Sequence, residues 1–279
     1  MLYLKSYCYS DHEIPFIIAN LDESEGYVDK LYLYEFNYTH TGIKKPYYVG
    51  DKLHLIPDRL RERLVYKQID ISKEIVESYE SGDLIHKINE PLMRSWFYND
   101  CDIILQDTDI IIDIDIDEIM YRSSYPKLIQ LIENSNQPYS IRLNQMFFKH
   151  TYIWTDCNFA SPTIYKYWMV KNPVNVINKK VIKNRRDVNA RTNEVMGCHM
   201  SWIMPIDYML KKFHQYSHPE YRKYCQRELL EEAIKNKKYV FDLKRPFNIE
   251  ELSLNDIRIP KTMQKENLFD YELEYKYVD

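Results

Sequence analysis

The chain has 279 residues and a mass of 34.0 kDa, with 38 basic and 42 acidic residues giving a net charge of −4. Its 45% hydrophobic and 29% charged content excludes an intrinsically disordered chain, and the near balance of charge argues against nucleic acid or an anionic membrane as the main partner. Only 5 glycines occur, and no G-x-G-x-x-G or G-x-x-x-x-G-K-[ST] pattern, which excludes the glycine-rich loops of dehydrogenases and P-loop ATPases.

In chain order, Leu2–Tyr9 alternates apolar and polar residues and predicts a first strand. Ile14–Leu21 predicts a helix with Pro15 in its first turn, where a missing N–H costs little. Tyr27–Phe36 predicts a second strand, and Asn37–Gly50 a loop rich in turn formers. Asp58–Leu64 reads as a short helix and Leu64–Ile71 as a strand. Glu90–Tyr98 reads as a helix opened by Pro91, and Asp109–Ile119 as one β-branched strand. Tyr125–Asn134 predicts a helix with Leu128, Leu131 and Ile132 on one face. Pro138–Thr155 reads as two strands and Tyr221–Lys237 as a helix with Glu-to-Lys pairing. The last roughly 30 residues read as a tail laid across the body.

Strands alternating with helices predict a single α/β domain. Its central sheet is mostly parallel, with helices on both faces and ligands at the carboxyl ends of the strands. The five cysteines are odd in number and contain no C-x-x-C pair, so neither a zinc ribbon nor a disulfide framework is indicated. Lys5, Asp11 and Glu13 interrupt any apolar leader in the first twenty residues. The longest uncharged run, Val195–Ile206, is too short to span a bilayer. These features fit a soluble cytoplasmic protein. The excess of Tyr, Ile, Lys and Asn points to an A/T-rich microbial or viral source.

The chemistry concentrates in DIIIDIDIDEI. Asp113, Asp115 and Asp117 share one strand face, while Ile112, Ile114 and Ile116 share the other. The isoleucine face belongs in the core. Unpaired buried carboxylates are costly, so the acidic face needs cations or water. A strand leaving the core near Asp113 would expose Asp115, Asp117 and Glu118 at its carboxyl end. Paired carboxylates there are hard oxygen ligands suited to Mg²⁺ or Mn²⁺ on a diphosphate.

DIDEI at Asp115–Ile119 resembles the D-x-D-E-I signature of glycosyltransferase family 17, the β-1,4-mannosyl-glycoprotein 4-β-N-acetylglucosaminyltransferase family. Tyr34–Val49 is similar to that family's E-x-x-x-T-x-x-G-x-x-K/R-P stretch through Glu35, Thr39, Gly42, Lys45 and Pro46. Gly197–Trp202 (GCHMSW) resembles its G-W-H-C-S-W, keeping Gly197, His199, Ser201 and Trp202. Ile259–Leu273 resembles its closing segment through Pro260 and Phe269. Cys198, Met200 and Met120 depart from the family pattern, and the F-N-E stretch near the start is kept only at Glu13. The resemblance implies a GT-A-like fold with a donor half of about 1–120 and an acceptor half with C-terminal tail of about 121–279. It also implies a UDP-sugar donor, UDP-GlcNAc or UDP-xylose, a Mn²⁺ or Mg²⁺ cofactor, and inversion to a β linkage on a glycan or glycoprotein acceptor.

On that resemblance Asp117 is expected to bind the metal directly. Asp115 would contact the donor ribose, or the metal through water. His199 is the expected third ligand; by itself it reads as a satisfied buried histidine. Glu35 and Thr39 are expected at the uridine and Arg94, paired with Glu90, at the donor sugar. Arg185 and Arg186, in the basic run Lys179–Arg186, are expected at the diphosphate. An inverting transfer needs a general base, for which Glu118, Glu194 and Asp207 are candidates, with Glu118 and Asp207 ranked first. Trp154 and Trp202 are expected to pack against acceptor sugars, and Trp168 to pack in the core. Two other classes compete: a carbohydrate-binding or scaffold protein with a decayed active site, and a metal-dependent nuclease or phosphatase.

Overall fold

The computed structural model describes residues 1–74, 86–100, 102–157, 159–170, 188–215, 218–239, 241 and 245–270. Strands β1 (Leu2–Cys8), β2 (Lys30–Phe36), β3 (Leu64–Ile69) and β4 (Ile110–Asp113) form a parallel core in the spatial order β3-β2-β1-β4. Beyond β4 the sheet continues antiparallel through β8 (Phe159–Lys166), β6 (Tyr139–Phe147), β7 (Lys149–Trp154) and β10 (Ile249–Glu251). The other edge of β6 pairs in parallel with β9 (Arg191–Ser201), and β9 in turn pairs antiparallel with the short β5 (Glu118–Met120). The expected α/β class holds, with the parallel strands gathered in the first half of the chain.

Alternation along β1 explains how helices cover both faces. Leu2, Leu4 and Cys8 face a cluster shared with Ile112 and Ile114 and with Ile14, Ile17, Ile18 and Leu21 of α1 (Ile14–Glu23). Tyr3 and Tyr7 face the other way, onto Leu92, Met93 and Phe97 of α3 (His86–Asn99). The single turn α2 (Asp58–Arg61) leads into β3, and α4 (Tyr125–Glu133) follows β5. A third cluster joins Phe147 and Trp154 to Met209 and Phe213 of α5 (Ile206–Gln215) and Leu230 of α6 (Arg227–Lys235).

Three expectations are corrected. Asp109–Ile119 is two strands: β4 ends at Asp113, and β5 begins at Glu118. The break is a closed turn, in which the Glu118 N–H donates to Asp115 O at 2.9 Å and the Asp115 N–H donates to Glu118 Oε2 at 2.7 Å. Pro91 lies inside α3, whose start precedes it. The helix expected over Tyr221–Lys237 is a 3₁₀ segment, Pro219–Tyr224, followed by the separate α6. Of the expected tail, the described residues lie against the body, with β10 paired to β7 and Met263 and Leu268 buried in the first cluster; residues 271–279 lie outside the described residues. Among the described residues no helix is long and apolar enough to cross a membrane.

Candidate active site

Strand β1 has β2 on one side and β4 on the other, so the chain's order reverses at β1. A crevice at the carboxyl ends is the geometric result of such a reversal. A cavity of about 650 Å³ opens there. Its floor comes from Tyr9, Ser10, Asp11, His12 and Glu13 after β1 and from Asp115, Ile116 and Asp117 after β4. Glu90 and Arg94 of α3 close one end, Gln145, His199, Ser201 and Trp202 of β6 and the β9 segment form a wall, and Lys211 and Lys212 of α5 reach in.

At the α3 end, Arg94 grips Asp115 with both terminal nitrogens, at 2.6 Å to Oδ1 and 3.3 Å to Oδ2. Its Nε donates to Glu90 Oε1 at 2.8 Å, and its guanidinium lies 4.9 Å from the Tyr7 ring centroid. The Tyr7 hydroxyl also donates to Asp115 Oδ1, at 2.9 Å. Burial pushes the Glu90 carboxyl up, but the Arg94 guanidinium and His40 outweigh it and hold the group at about 2. Tyr9 and His40 meet through the phenol oxygen and Nε2. Asp113, the first aspartate of the run, pairs with the buried Lys5 at 2.7 Å beneath this network.

At the centre, pairing of β5 with β9 sets Glu118 opposite His199 in register. That brings Asp117 Oδ1 to 3.6 Å from His199 Nε2, while Oδ2 lies 3.9 Å from Lys212 Nζ. His199 Nδ1 donates to Gln145 Oε1 at 2.8 Å, which leaves Nε2 as the nitrogen that faces Asp117. Phe159 stacks on the imidazole at 4.1 Å between centroids. The close approach of β9 to β5 needs Gly197, because a Cβ there would sit 2.1 Å from Ile119 O and 2.9 Å from Met120 Cα.

After β1, Ser10 and Glu13 form a capping box, in which Glu13 Oε2 accepts the backbone N–H of Tyr9 and, at 3.1 Å, of Ser10. Burial pushes the Glu13 carboxyl up to about 7, against those two hydrogen bonds. Burial lowers His12 to about 3, helped by the charges of Lys212 and Lys211. Among the described residues the buried His12 Nδ1 has no hydrogen-bond partner, and the ring tilts against Tyr208 at 4.9 Å between centroids.

The expected site residues divide. Asp115, Asp117, Arg94, His199, Trp154 and Trp202 all line the cavity. The metal trio does not assemble: Asp115 is committed to Arg94 and Tyr7, and no group of three or more metal-ligating side chains converges among the described residues. Glu35 is fully buried and knits the loop after β2, accepting from Lys45 Nζ, the N–H groups of Tyr48 and Val49, and the Tyr66 hydroxyl. Thr39 is buried in the same loop, bonded to Thr41 and to the Ile43 N–H. Neither reaches the cavity. Glu118 is completely buried beneath the Asp115 turn, so the strand end does not expose it to solvent. Asp207 is on the surface with Arg227, and Glu194 likewise with Lys127. Trp168 is 40% exposed rather than core. Arg185 and Arg186 lie outside the described residues. Glu13, although kept from the family's F-N-E stretch, was given no role, and His12 and Lys212 carry no motif; the fold brings all three into one cavity with Asp117.

No family model matches the chain, and no curated protein does. The family 17 resemblance therefore rests on the quoted residues alone. Among solved structures, the galactosyltransferase LgtC in complex with donor and acceptor sugar analogs is 8% identical, with 99% of this chain and 97% of that chain covered and a TM-score of 0.38. A glucose-1-phosphate thymidylyltransferase from Bacillus anthracis is 8% identical, covering 69% and 86%, with a TM-score of 0.37. A 4-diphosphocytidyl-2C-methyl-D-erythritol synthase from Anaerococcus prevotii is 7% identical, covering 67% and 80%, with a TM-score of 0.35. Likenesses this loose leave the roles of individual residues to the geometry above.

Proposed function

We propose that this chain transfers a sugar from a nucleotide-sugar donor to a saccharide acceptor, with the reaction centred on Asp117 and His199. One observation carries the reading. A carboxylate and an imidazole held 3.6 Å apart meet in a cavity at the carboxyl ends of β1 and β4, at the point where the strand order reverses. The segments quoted for the family 17 resemblance, Asp115–Ile119 and Gly197–Trp202, are the two that β5 and β9 join. On that resemblance the donor is UDP-GlcNAc or UDP-xylose and the product has a β linkage.

The donor set suits Mn²⁺ or Mg²⁺ in part. Asp117 offers a hard oxygen, and His199 offers an imidazole nitrogen oriented by Gln145. These two would hold the cation, and diphosphate oxygens and water would complete its shell. Such an ion supplies neutralisation of charge on the departing diphosphate. Lys212, beside Asp117, adds a second positive charge at the same place. The Arg94–Asp115–Glu90 network is held together by hydrogen bonds and lines the cavity, where it would orient donor hydroxyls. In place of Glu118 and Asp207, Glu13 is the carboxylate suited to accept a proton near neutral pH.

Asp115's commitment to Arg94 favours a second reading, a saccharide-binding protein without turnover. One experiment separates the two. In thermal unfolding with UDP-GlcNAc or UDP-xylose, with and without Mn²⁺, one donor should raise Tm only with the metal. At a ligand concentration of 100 times Kd the stabilisation is about 2.7 kcal/mol. Asp117→Asn and His199→Gln should abolish the metal-dependent part. Indifference of the wild-type protein to every nucleotide sugar overturns the proposal and leaves the second reading.

A further inference from the structure

The aromatic side of the cavity has a cation at each end. Near the centre, Lys212 Nζ lies 5.3 Å from the Trp202 ring centroid. At the far end, the Arg245 guanidinium lies 4.5 Å from the Trp154 centroid and 5.3 Å from that of Tyr239. Between them the rings are continuous, with Trp202 to Phe241 at 5.0 Å, Phe241 to Tyr239 at 5.3 Å and Tyr239 to Trp154 at 4.8 Å. The Trp154 indole is fixed by Nε1 donating to Pro246 O at 3.2 Å.

Charge is distributed unevenly around the same cavity. The carboxylates among its lining residues, Asp11, Glu13, Glu90, Asp115 and Asp117, follow β1 or β4 or sit on α3. None belongs to the aromatic wall. Arg245 is exposed, and no carboxylate among the described residues pairs with it. Its described contacts are the faces of Trp154 and Tyr239 and a hydrogen bond to the Tyr239 hydroxyl.

From this we infer that the wall takes an acceptor saccharide bearing an anionic substituent, a carboxylate or a phosphate. The sugar face lies on the part-exposed Tyr239, backed by the buried Trp154 and Trp202, and the anion meets Arg245. The inference deepens the sugar-transfer reading and rests on it. Sugar C–H faces pack on aromatic rings, which gives affinity without regard to charge. A guanidinium already stacked in place presents its planar fork with little further ordering, and that fork matches carboxylate and phosphate oxygens. A neutral sugar leaves the fork to water.

The test uses intrinsic tryptophan fluorescence, since Trp154 and Trp202 both lie in the wall. The probes are cellobiose, its derivative oxidised to a carboxylate at the non-reducing C6, and its phosphate ester at that carbon. In the wild-type protein one charged disaccharide should bind about five- to tenfold more tightly than cellobiose, and high salt should reduce the difference. The carboxylate and phosphate arms identify which anion is preferred. Arg245→Gln should erase the advantage and leave cellobiose binding and the UDP-sugar response unchanged. Equal affinity for all three probes, no binding of any, or an advantage that survives Arg245→Gln overturns the inference. A protein that prefers a charged disaccharide yet ignores every nucleotide sugar retains the saccharide site and loses the transfer reading.

Discussion

His12 and Glu13 are sequence neighbours that the same burial drives in opposite directions. His12 falls from 6.5 to about 3, so on acidification the unfolded chain takes this proton first, and stability is lost as pH falls from about 6.5 toward 3. Glu13 rises from 4.5 to about 7, so the folded chain takes this proton first, and stability is lost as pH rises from about 4.5 toward 7. Between about pH 4.5 and 6.5 the two slopes offset, each approaching about 1.4 kcal/mol per pH unit. Glu13→Gln should therefore steepen the acid loss, and His12→Gln should make the protein more stable at pH 5 than at pH 7. Urea unfolding midpoints across that range measure both, and unchanged profiles would contradict the assigned burial. At this scale Asp115 and Asp117 were legible, because alternating Asp and Ile in a β-branched run demands a polar outlet. His12, Glu13 and Lys212 were not, because their chemistry arises from neighbours distant in the chain.

Among the elements, the pairing of β5 with β9 positions the most chemistry with the fewest residues. Gly197→Ala places a Cβ against Ile119 O and Met120 Cα, both backbone atoms that cannot swing away. A loss of about 1–3 kcal/mol is expected from overpacking alone. The same displacement should separate His199 from Asp117, so metal-dependent donor binding should weaken more than stability does. Calorimetric titration with UDP-sugar and Mn²⁺ beside a denaturation curve distinguishes a local from a global effect. The strands of the first half were readable from alternation, and the starts of α1 and α4 from Pro15 and Pro126, whereas Pro91 misplaced the start of α3. β8 was hidden because Pro162 interrupts it; in the structure that proline sits where the register with β6 shifts between Ser140 and Arg142. β9 was hidden because Asn193, Glu194 and Val195 are all exposed, which breaks period two.

For the whole molecule, the donor and acceptor halves expected on either side of about residue 120 share one core. Ile112 and Ile114 pack in the same cluster as Ile164, Met196 and Leu268, and β4 pairs with β8 along its full length. Residues 1–120 made alone would expose the β4 edge and half of that cluster. We expect such a fragment to lack a cooperative melt by circular dichroism, while the full chain melts in a single transition. Two separate transitions in the full chain would show that the halves are independent units. The α/β class was legible from the alternation of elements. The pairing of β9 with β6 and β5 that carries His199 to Asp117 was not, because long-range pairing leaves no local trace in sequence.

Trp202 holds a φ of 59°, in the left-handed region, immediately after β9. A side chain there opposes its own backbone by about 1–2 kcal/mol. The penalty persists because the indole, wedged 4.7 Å from Phe213 and 5.0 Å from Phe241, keeps the bend closed. Truncation should therefore invert the customary ranking of small residues: Trp202→Gly, free of that opposition, should melt higher than Trp202→Ala by a margin of about 1 kcal/mol. The tryptophan acts as a spring catch, trading some resilience of the chain for a fixed edge beside the reaction centre.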